Sequence, residues 1–192
     1  MIKYPNGKVP SPRTILTKKR INSAANRGMG LENDINLSNE FYIKTNRAII
    51  TKRPTPINIV KVDYEKGAKI VDAYFEKQST TDYNGVYKGR YLDFEAKSTN
   101  NKTSFPLNNI TSHQIEHLKR VHLHGGICFF IIEFTQLNQI YLLDAQEIIH
   151  FLGNEKRKSI PLDIFEKKGI RLSMSLNPRI NYLDAVDQFY HL

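Results

Sequence analysis

The sequence predicts a mixed α/β fold in which helices flank a central mixed β-sheet. Apolar residues recur at helical spacing along 26–46, which indicates an amphipathic helix. Two near-continuous apolar runs, 127–134 and 139–143, indicate adjacent strands buried in the middle of a sheet. Helical and strand-like patterns alternate along the rest of the chain, as is typical of layered α/β architectures.

Each element follows from a local pattern. Leu31, Ile35, Ser38 and Tyr42 form one stripe of the first helix. Gly125 and the glycine after it end the second helix, which Thr111 or Ser112 can cap. The predicted elements are a helix at 26–46, strands at 49–50, 57–62 and 70–77, a hairpin at 82–97, a helix from 111 or 112 to about 124, strands at 127–134 and 139–143, a helix from Asp144 to about 152, and one or two helices within 164–190.

The charge is strongly positive and unevenly distributed. The 192 residues include 28 Lys and Arg against 19 Asp and Glu, a formal net charge of +9. Such an excess favours polyanionic partners. No acidic residue precedes Glu32, so 1–25 is interpreted as a flexible basic arm and 26–192 as a single domain.

Cysteine content and hydropathy favour a cytoplasmic protein without a membrane segment. Cys128 is the only cysteine and lies in an apolar run, so we expect it in the core. A chain with one cysteine forms no internal disulfide, which fits a reducing compartment. No apolar stretch reaches the length needed to cross a bilayer.

The 82–97 hairpin carries the most informative charges. Side chains of a strand alternate between faces, so Asp93, Glu95 and Lys97 share one side. If Lys88 and Gly89 form a two-residue loop, Asp82 falls opposite Glu95 with the Cβ atoms about 5 Å apart. The alternating apolar residues of this strand then face the core.

Two facing carboxylates beside a lysine suit a Mg²⁺-dependent phosphodiesterase. Mg²⁺ prefers oxygen ligands and is commonly held by one or two carboxylates, waters and phosphate oxygens. Lys97, about 6.6 Å along the strand from Glu95, can orient the attacking water or stabilise charge in the transition state. The alternative is a surface hairpin with a solvated Glu/Lys pair. Asp93 is interpreted as a solvated or structural acid.

A competing motif lies at 113–117. His113 and His117 fit the H-x-x-E-H pattern of inverted zinc peptidases, with the two imidazoles one helical turn apart. No third ligand follows at a recognisable spacing, which argues against a zinc peptidase.

Long ordered motifs make the chain resemble the RecU family of Holliday junction resolvases. They are Tyr-Pro-Asn-Gly-Lys at 4–8, Asn-Arg-Gly-Met at 26–29, Pro-Thr-Pro at 54–56, the run 79–97, Asn-Lys-Thr-Ser-Phe-Pro-Leu at 101–107, His-Gln-Ile-Glu-His at 113–117 and Gly-Ile-Cys-Phe at 126–129. The resemblance implies a restriction-endonuclease-like PD-(D/E)xK core, a homodimer, Mg²⁺ or Mn²⁺ as cofactor, and symmetric nicking of four-way DNA.

The resemblance also assigns roles to individual residues. Asp82 and Glu95 match the metal-binding carboxylates, and Lys97 matches the catalytic lysine. Thr81 stands where the wider superfamily has proline and is expected to hold a metal-bound water.

Further positions are assigned with an alternative beside each. Glu32 either faces the metal site or is an exposed acid in the first helical turn. Gln114 contacts the metal, its bound water or a phosphate, or else lies on a solvated helix face. Arg27 is a candidate phosphate clamp, because a guanidinium binds phosphate through two N–H groups.

Residues 52–75 resemble the stalk that family members insert into the centre of a junction. Lysines there can neutralise phosphates and aromatic rings can stack on unpaired bases. The alternative is a long hairpin with ordinary solvated lysines. The candidate DNA-binding residues are Lys52, Arg53, Lys61, Lys66, Lys69, Tyr74 and Phe75.

The sequence therefore predicts a structure-selective endonuclease that acts on branched DNA in recombination and repair. One alternative is a restriction-type nuclease of the same fold that cuts duplex DNA. A second is a protein that binds or bridges junctions without cutting. The resemblance also implies a strand-exchange recombinase as a partner.

Overall fold

The computed structural model describes residues 24–76, 80–153 and 157–192, with 24–29 described by their backbone alone. The predicted basic arm lies outside this part of the chain, apart from its last two residues, which begin the first helix. The elements, in chain order, are α1 Ala24–Lys44, β1 Ile49–Lys52, β2 Ile57–Asp63, β3 Lys69–Phe75, β4 Tyr83–Tyr87, β5 Arg90–Thr99, β6 Ser104–Pro106, a 3-10 turn Leu107–Asn109, α2 Ser112–Leu123, β7 Ile127–Phe134, β8 Gln139–Asp144, α3 Ala145–Leu152, β9 Ser159–Pro161, α4 Leu162–Lys168, β10 Ile170–Leu172 and α5 Tyr182–Tyr190.

A six-stranded mixed sheet of order β1-β4-β5-β7-β8-β10 organises the molecule. Strand β5 pairs antiparallel with β4 and parallel with β7, and β7 pairs antiparallel with β8. The predicted pairing of the two apolar runs is confirmed, with Ile131 opposite Leu142. The prediction of a central mixed sheet flanked by helices is confirmed as well.

Apolar clusters cover both faces of the sheet. The predicted stripe of α1 is buried, including Ile35 and Tyr42 at 0% exposure, and packs with α5 on one face. Helices α2, α3 and α4 cover the other face. Phe94 stacks on Phe129 with ring centroids 4.6 Å apart. Such aromatic pairs contribute about 0.5–1.5 kcal/mol beyond area burial.

Helices α2 and α3 begin where their capping residues predict. The Thr111 hydroxyl accepts a hydrogen bond from the backbone amide of Gln114, and Gln114 Oε1 accepts one from the backbone amide of Thr111. Asp144 accepts from the backbone of Gln146 at the start of α3. Reciprocal caps satisfy backbone donors that the first helical turn leaves unpaired.

Strands β2 and β3 form a separate two-stranded hairpin, and every residue of β3 is exposed. The predicted stalk boundary at 52 is wrong, because Lys52 belongs to β1 and pairs with Tyr83 in the main sheet. The strand predicted at 70–77 ends at Phe75, and residues 77–79 lie outside the described part. An isolated two-stranded hairpin has little stability of its own, so its base must be held by the rest of the domain.

Several short elements were not predicted. Strands β6, β9 and β10 have three residues each, which is too short for a period of two to be recognised. Cys128 is buried in β7, as expected. Within the described residues, no helix has the length and apolar character needed to span a bilayer.

Candidate active site

The hairpin of β4 and β5 has the predicted register. Lys88 and Gly89 both have positive φ, as a type I′ turn requires, and Tyr87 pairs with Arg90. The same register places Asp82 opposite Glu95, one position before β4 begins. Two bonds join this position to the opposite strand: the Asp82 amide donates to Glu95 Oε2 at 3.0 Å, and the Ala96 amide donates to Asp82 Oδ2 at 3.2 Å.

The Glu95 carboxylate is fully buried but faces polar groups. Lys97 Nζ lies 2.6 Å from Glu95 Oε1, and Gln114 Nε2 donates to the same oxygen. Burial raises the pKa of Glu95 to about 8, and the negative charge of Asp82 adds to this rise while Lys97 opposes it. The site therefore favours a protonated Glu95 at neutral pH until positive charge is supplied.

The donor set fits a divalent cation. When both are ionised, Asp82 and Glu95 carry two negative charges against the one positive charge of Lys97, and carboxylate oxygens are the ligands that Mg²⁺ prefers. Within the described residues, no group of three His, Cys, Asp or Glu side chains is arranged to hold a metal ion. A pair of carboxylates is nevertheless sufficient for Mg²⁺, which keeps several waters.

Gln114 orients Glu95. Its Nε2 donates to Glu95, and its Oε1 accepts from the Thr111 backbone in the helix cap. The amide oxygen is therefore directed to the cap, which differs from the expected contact with a metal or its water. The alternative of a solvated helix face is wrong, because Gln114 is 6% exposed.

Asp93 is not the solvated acid that the pattern allowed. Its side chain is 0% exposed and lies within hydrogen-bonding distance of four side chains. The donors are Arg53 Nη2 at 2.7 Å, Tyr91 OH at 3.0 Å, His117 Nε2 at 2.9 Å and the Thr81 hydroxyl. Because a buried charge must be paired and hydrogen-bonded, this set, here called the Asp93 network, is part of the architecture of the site.

Two residues with other expected roles belong to this network. Arg53 was expected to contact DNA from the stalk, but its side chain is 17% exposed and is paired with Asp93. Thr81 was expected to hold a metal-bound water, but its hydroxyl donates to Asp93 and accepts from Arg53 Nη1 at 2.6 Å. Both side chains are therefore hydrogen-bonded to Asp93.

Comparison with known proteins identifies the family. The model of the family described as Recombination protein U (RecU) matches residues 26–188. The Holliday junction resolvase RecU of Geobacillus sp. (strain WCH70) is 48% identical, over 99% of this chain and 98% of that protein. The protein of the same name from Bacillus subtilis (strain 168) is 47% identical, over 99% of this chain and 96% of that protein. The chain belongs to the RecU family.

A solved structure shows a more distant likeness. It is that of Archaeoglobus fulgidus Hjc, a Holliday junction resolvase, with a TM-score of 0.46 and 12% identity, covering 74% of this chain and 94% of that one.

The Glu32 carboxylate is engaged in an ion pair with a lysine of β1. Glu32 is the ninth residue of α1, so its interpretation as a first-turn acid is wrong. Its carboxylate pairs with Lys52 Nζ at 2.5 Å, and its backbone oxygen accepts from Tyr83 OH at 3.2 Å. Within the described residues, Glu32 does not join Asp82 and Glu95 in a metal-holding group.

The candidate DNA-binding residues predicted on the stalk separate into two groups. Lys52 and Arg53 are paired with acids of the main body. The others lie exposed on the hairpin or at its tip, where a nucleic acid can reach them; they are Lys61, Lys66, Lys69, Tyr74 and Phe75. The side chain of Arg27 is outside the described part of the structure.

The zinc-peptidase alternative does not fit the geometry. His117 Nε2 bonds to Asp93, whereas His113 is exposed near the start of α2. Sequence reasoning missed the partnership of Tyr91 and His117 with Asp93. Tyr91 shares the strand face of Asp93, and His117 follows Gln114 by almost one helical turn. The strand and helix periodicities could therefore have predicted that both side chains lie near the site.

Proposed function

We propose that this RecU-family chain is an endonuclease that resolves four-way DNA junctions by metal-dependent hydrolysis of phosphodiester bonds. The names of its relatives support the substrate. The observation that carries the reaction is the pairing of the half-buried Asp82 with the buried Glu95 beside Lys97, because facing carboxylates next to phosphate are repulsive unless a cation bridges them.

Asp82 and Glu95 are the residues that would hold Mg²⁺, for which Mn²⁺ can substitute. The ion supplies charge that polarises the scissile phosphate and lowers the pKa of water. Lys97 presents its ammonium to the negative charge that develops in the transition state of in-line attack. Gln114 keeps the Glu95 carboxylate in one orientation. The products are 5′-phosphate and 3′-hydroxyl ends.

The assembly we propose is a homodimer, because symmetric nicking of a four-way junction needs two matched sites. Exposed apolar residues on the hairpin, such as Ile59 and Val60, support an association surface there. The exposed hairpin lysines and aromatic residues, together with Arg27, are the proposed contacts to branched DNA. A strand-exchange recombinase is a further proposed partner, and the proposed location is the cytoplasm at the nucleoid.

The test uses a labelled four-way junction and a duplex of matched sequence, each with and without Mg²⁺. The wild type should nick the junction in Mg²⁺ and leave most of the duplex intact. Asp82→Asn should bind the junction and cut neither substrate. Asp163→Asn is the matched control, because Asp163 is an exposed acid paired with Lys167 on α4, and it should cut normally.

Two results would contradict the proposal. A wild type that binds the junction but cuts nothing in Mg²⁺ or Mn²⁺ would be a junction-binding protein. Equal cleavage of both substrates would favour the restriction-type alternative.

A further inference from the structure

The Asp93 network connects two parts of the molecule that the proposed function uses separately. Arg53 Nη1 donates to the Thr81 backbone oxygen at 3.3 Å, and the Arg53 backbone amide donates to the backbone carbonyl oxygen of Asp82 at 2.8 Å. One residue therefore holds the backbone on which the proposed metal ligand Asp82 sits. Its guanidinium is in turn fixed by the buried Asp93 carboxylate.

Arg53 also stands at the root of the hairpin. It is followed by Pro54, Thr55 and Pro56, and β2 begins at the next residue. Each proline fixes φ near −65°, so this link is stiff. The Glu76 amide donates to the Pro56 oxygen at 3.0 Å, which joins the two ends of the hairpin at the same level.

We propose that Arg53, held by Asp93, is a positioning residue that couples the β2–β3 hairpin to the Asp82 carboxylate. A displacement of the hairpin on branched DNA moves the Pro54–Pro56 link, and Arg53 transmits it to the backbone of Thr81 and Asp82. The rate of cleavage therefore depends on whether the hairpin has bound a branched substrate. The inference rests on the proposed function and adds the source of its selectivity.

The guanidinium is suited to this role in a way that an ammonium is not. Arg53 reaches Thr81, Tyr91 and Asp93 at once from two nitrogens of a planar group. Lysine keeps the charge but offers a single nitrogen without the fork geometry. Arg53→Lys therefore retains a cation for Asp93 while loosening the hold on Thr81.

The first experiment compares Arg53→Lys with Arg47→Lys. Arg47 is the matched control, because its side chain is 30% exposed and pairs with Asp184 on α5, away from the carboxylate pair. With protein in excess over junction, Arg53→Lys should lower the saturated cleavage rate about 10- to 100-fold, since a small misplacement of a reacting group has effects of this size. The junction Kd should change less than about threefold, below the effect of one lost hydrogen bond.

A second variant tests the coupling without touching the network. Pro54→Gly with Pro56→Gly relaxes the link, and the ratio of junction to duplex cleavage should fall toward one. Combined with Arg53→Lys, the loss in junction cleavage should be less than the product of the separate losses, because both changes break one connection. Should Arg53→Lys fail to fold, the proline variant alone decides.

The outcomes separate the two proposals. Absence of junction cleavage by the wild type overturns the proposed function. Wild-type cleavage with an unchanged Arg53→Lys rate, or with a rate loss matched by lost junction affinity, overturns the positioning role alone. An unchanged junction-to-duplex ratio in the proline variant overturns the coupling.

Discussion

Asp93 and Glu95 lie two residues apart on one face of β5, both at 0% exposure, but the protein surrounds them differently. Asp93 is paired with Arg53 and also receives hydrogen bonds from Tyr91, His117 and Thr81. Glu95 has Lys97, Gln114 and the amide of Asp82, a residue whose own charge opposes its ionisation.

The difference distinguishes a structural charge from one that we propose to be reactive. A buried carboxylate that is fully paired contributes to a single well-defined arrangement. A buried carboxylate next to a second acid keeps an unmet need for positive charge, which a bound cation can supply. Four predictions test whether this contrast is real.

The largest effect is expected for catalysis in Glu95→Gln. The amide keeps the shape but lowers the negative charge offered to a cation, so junction cleavage should fall about 1,000-fold, since metal charge stabilisation amounts to several kcal/mol. Single-turnover cleavage measures the rate, and thermal unfolding of the metal-free variant should show no loss of stability. A strongly destabilised Glu95→Gln would mean that Glu95 is as structural as Asp93.

Asp93→Asn should show the opposite pattern, with stability as the main loss. Removing one partner of a buried pair leaves Arg53 uncompensated, and the free energy of unfolding should fall by about 3 kcal/mol. Urea denaturation measures the change, with the exposed Asp163→Asn as control. If the variant is as stable as the control, the Asp93 network does not stabilise the fold.

The metal-free protein should lose stability as the pH rises from about 5 to 8. Because the pKa of Glu95 is raised to about 8 in the fold, the folded state binds a proton that the unfolded state has released. The stabilising contribution is therefore complete at acidic pH and is lost as the pH passes through the folded pKa. Thermal unfolding of wild type and Glu95→Gln across this range should differ in slope, and parallel curves would argue against the raised pKa.

The smallest effect is expected for Tyr91→Phe. The phenol donates to Asp93 and accepts from Arg53 Nη2 at 2.9 Å, while its ring is partly exposed. Loss of the hydroxyl should lower the free energy of unfolding by about 1 kcal/mol, the usual net worth of a hydrogen bond. The measurement is again urea denaturation, and a loss as large as that of Asp93→Asn would show that Tyr91, rather than Arg53, dominates the network.

Local patterns sufficed for much of the fold and for part of the site. Period-two alternation and a two-residue turn placed Asp82 opposite Glu95, and the observed register agrees. Capping residues located the starts of α2 and α3. Arg53 could not be placed in this way, because its partners Thr81, Tyr91 and Asp93 are separated from it by 28, 38 and 40 positions.

The sequence by itself determined the α/β layering, the β4–β5 hairpin and the carboxylate pair, because periodicity, turn chemistry and capping act over a few residues. Tertiary structure alone decided which charges are neutralised within the protein. It paired Arg53 with Asp93 and Lys52 with Glu32, and it placed Gln114 against Glu95. Packing of the core determines which distant side chains come into contact. The free-energy cost of an unpaired charge in the interior makes those pairs specific.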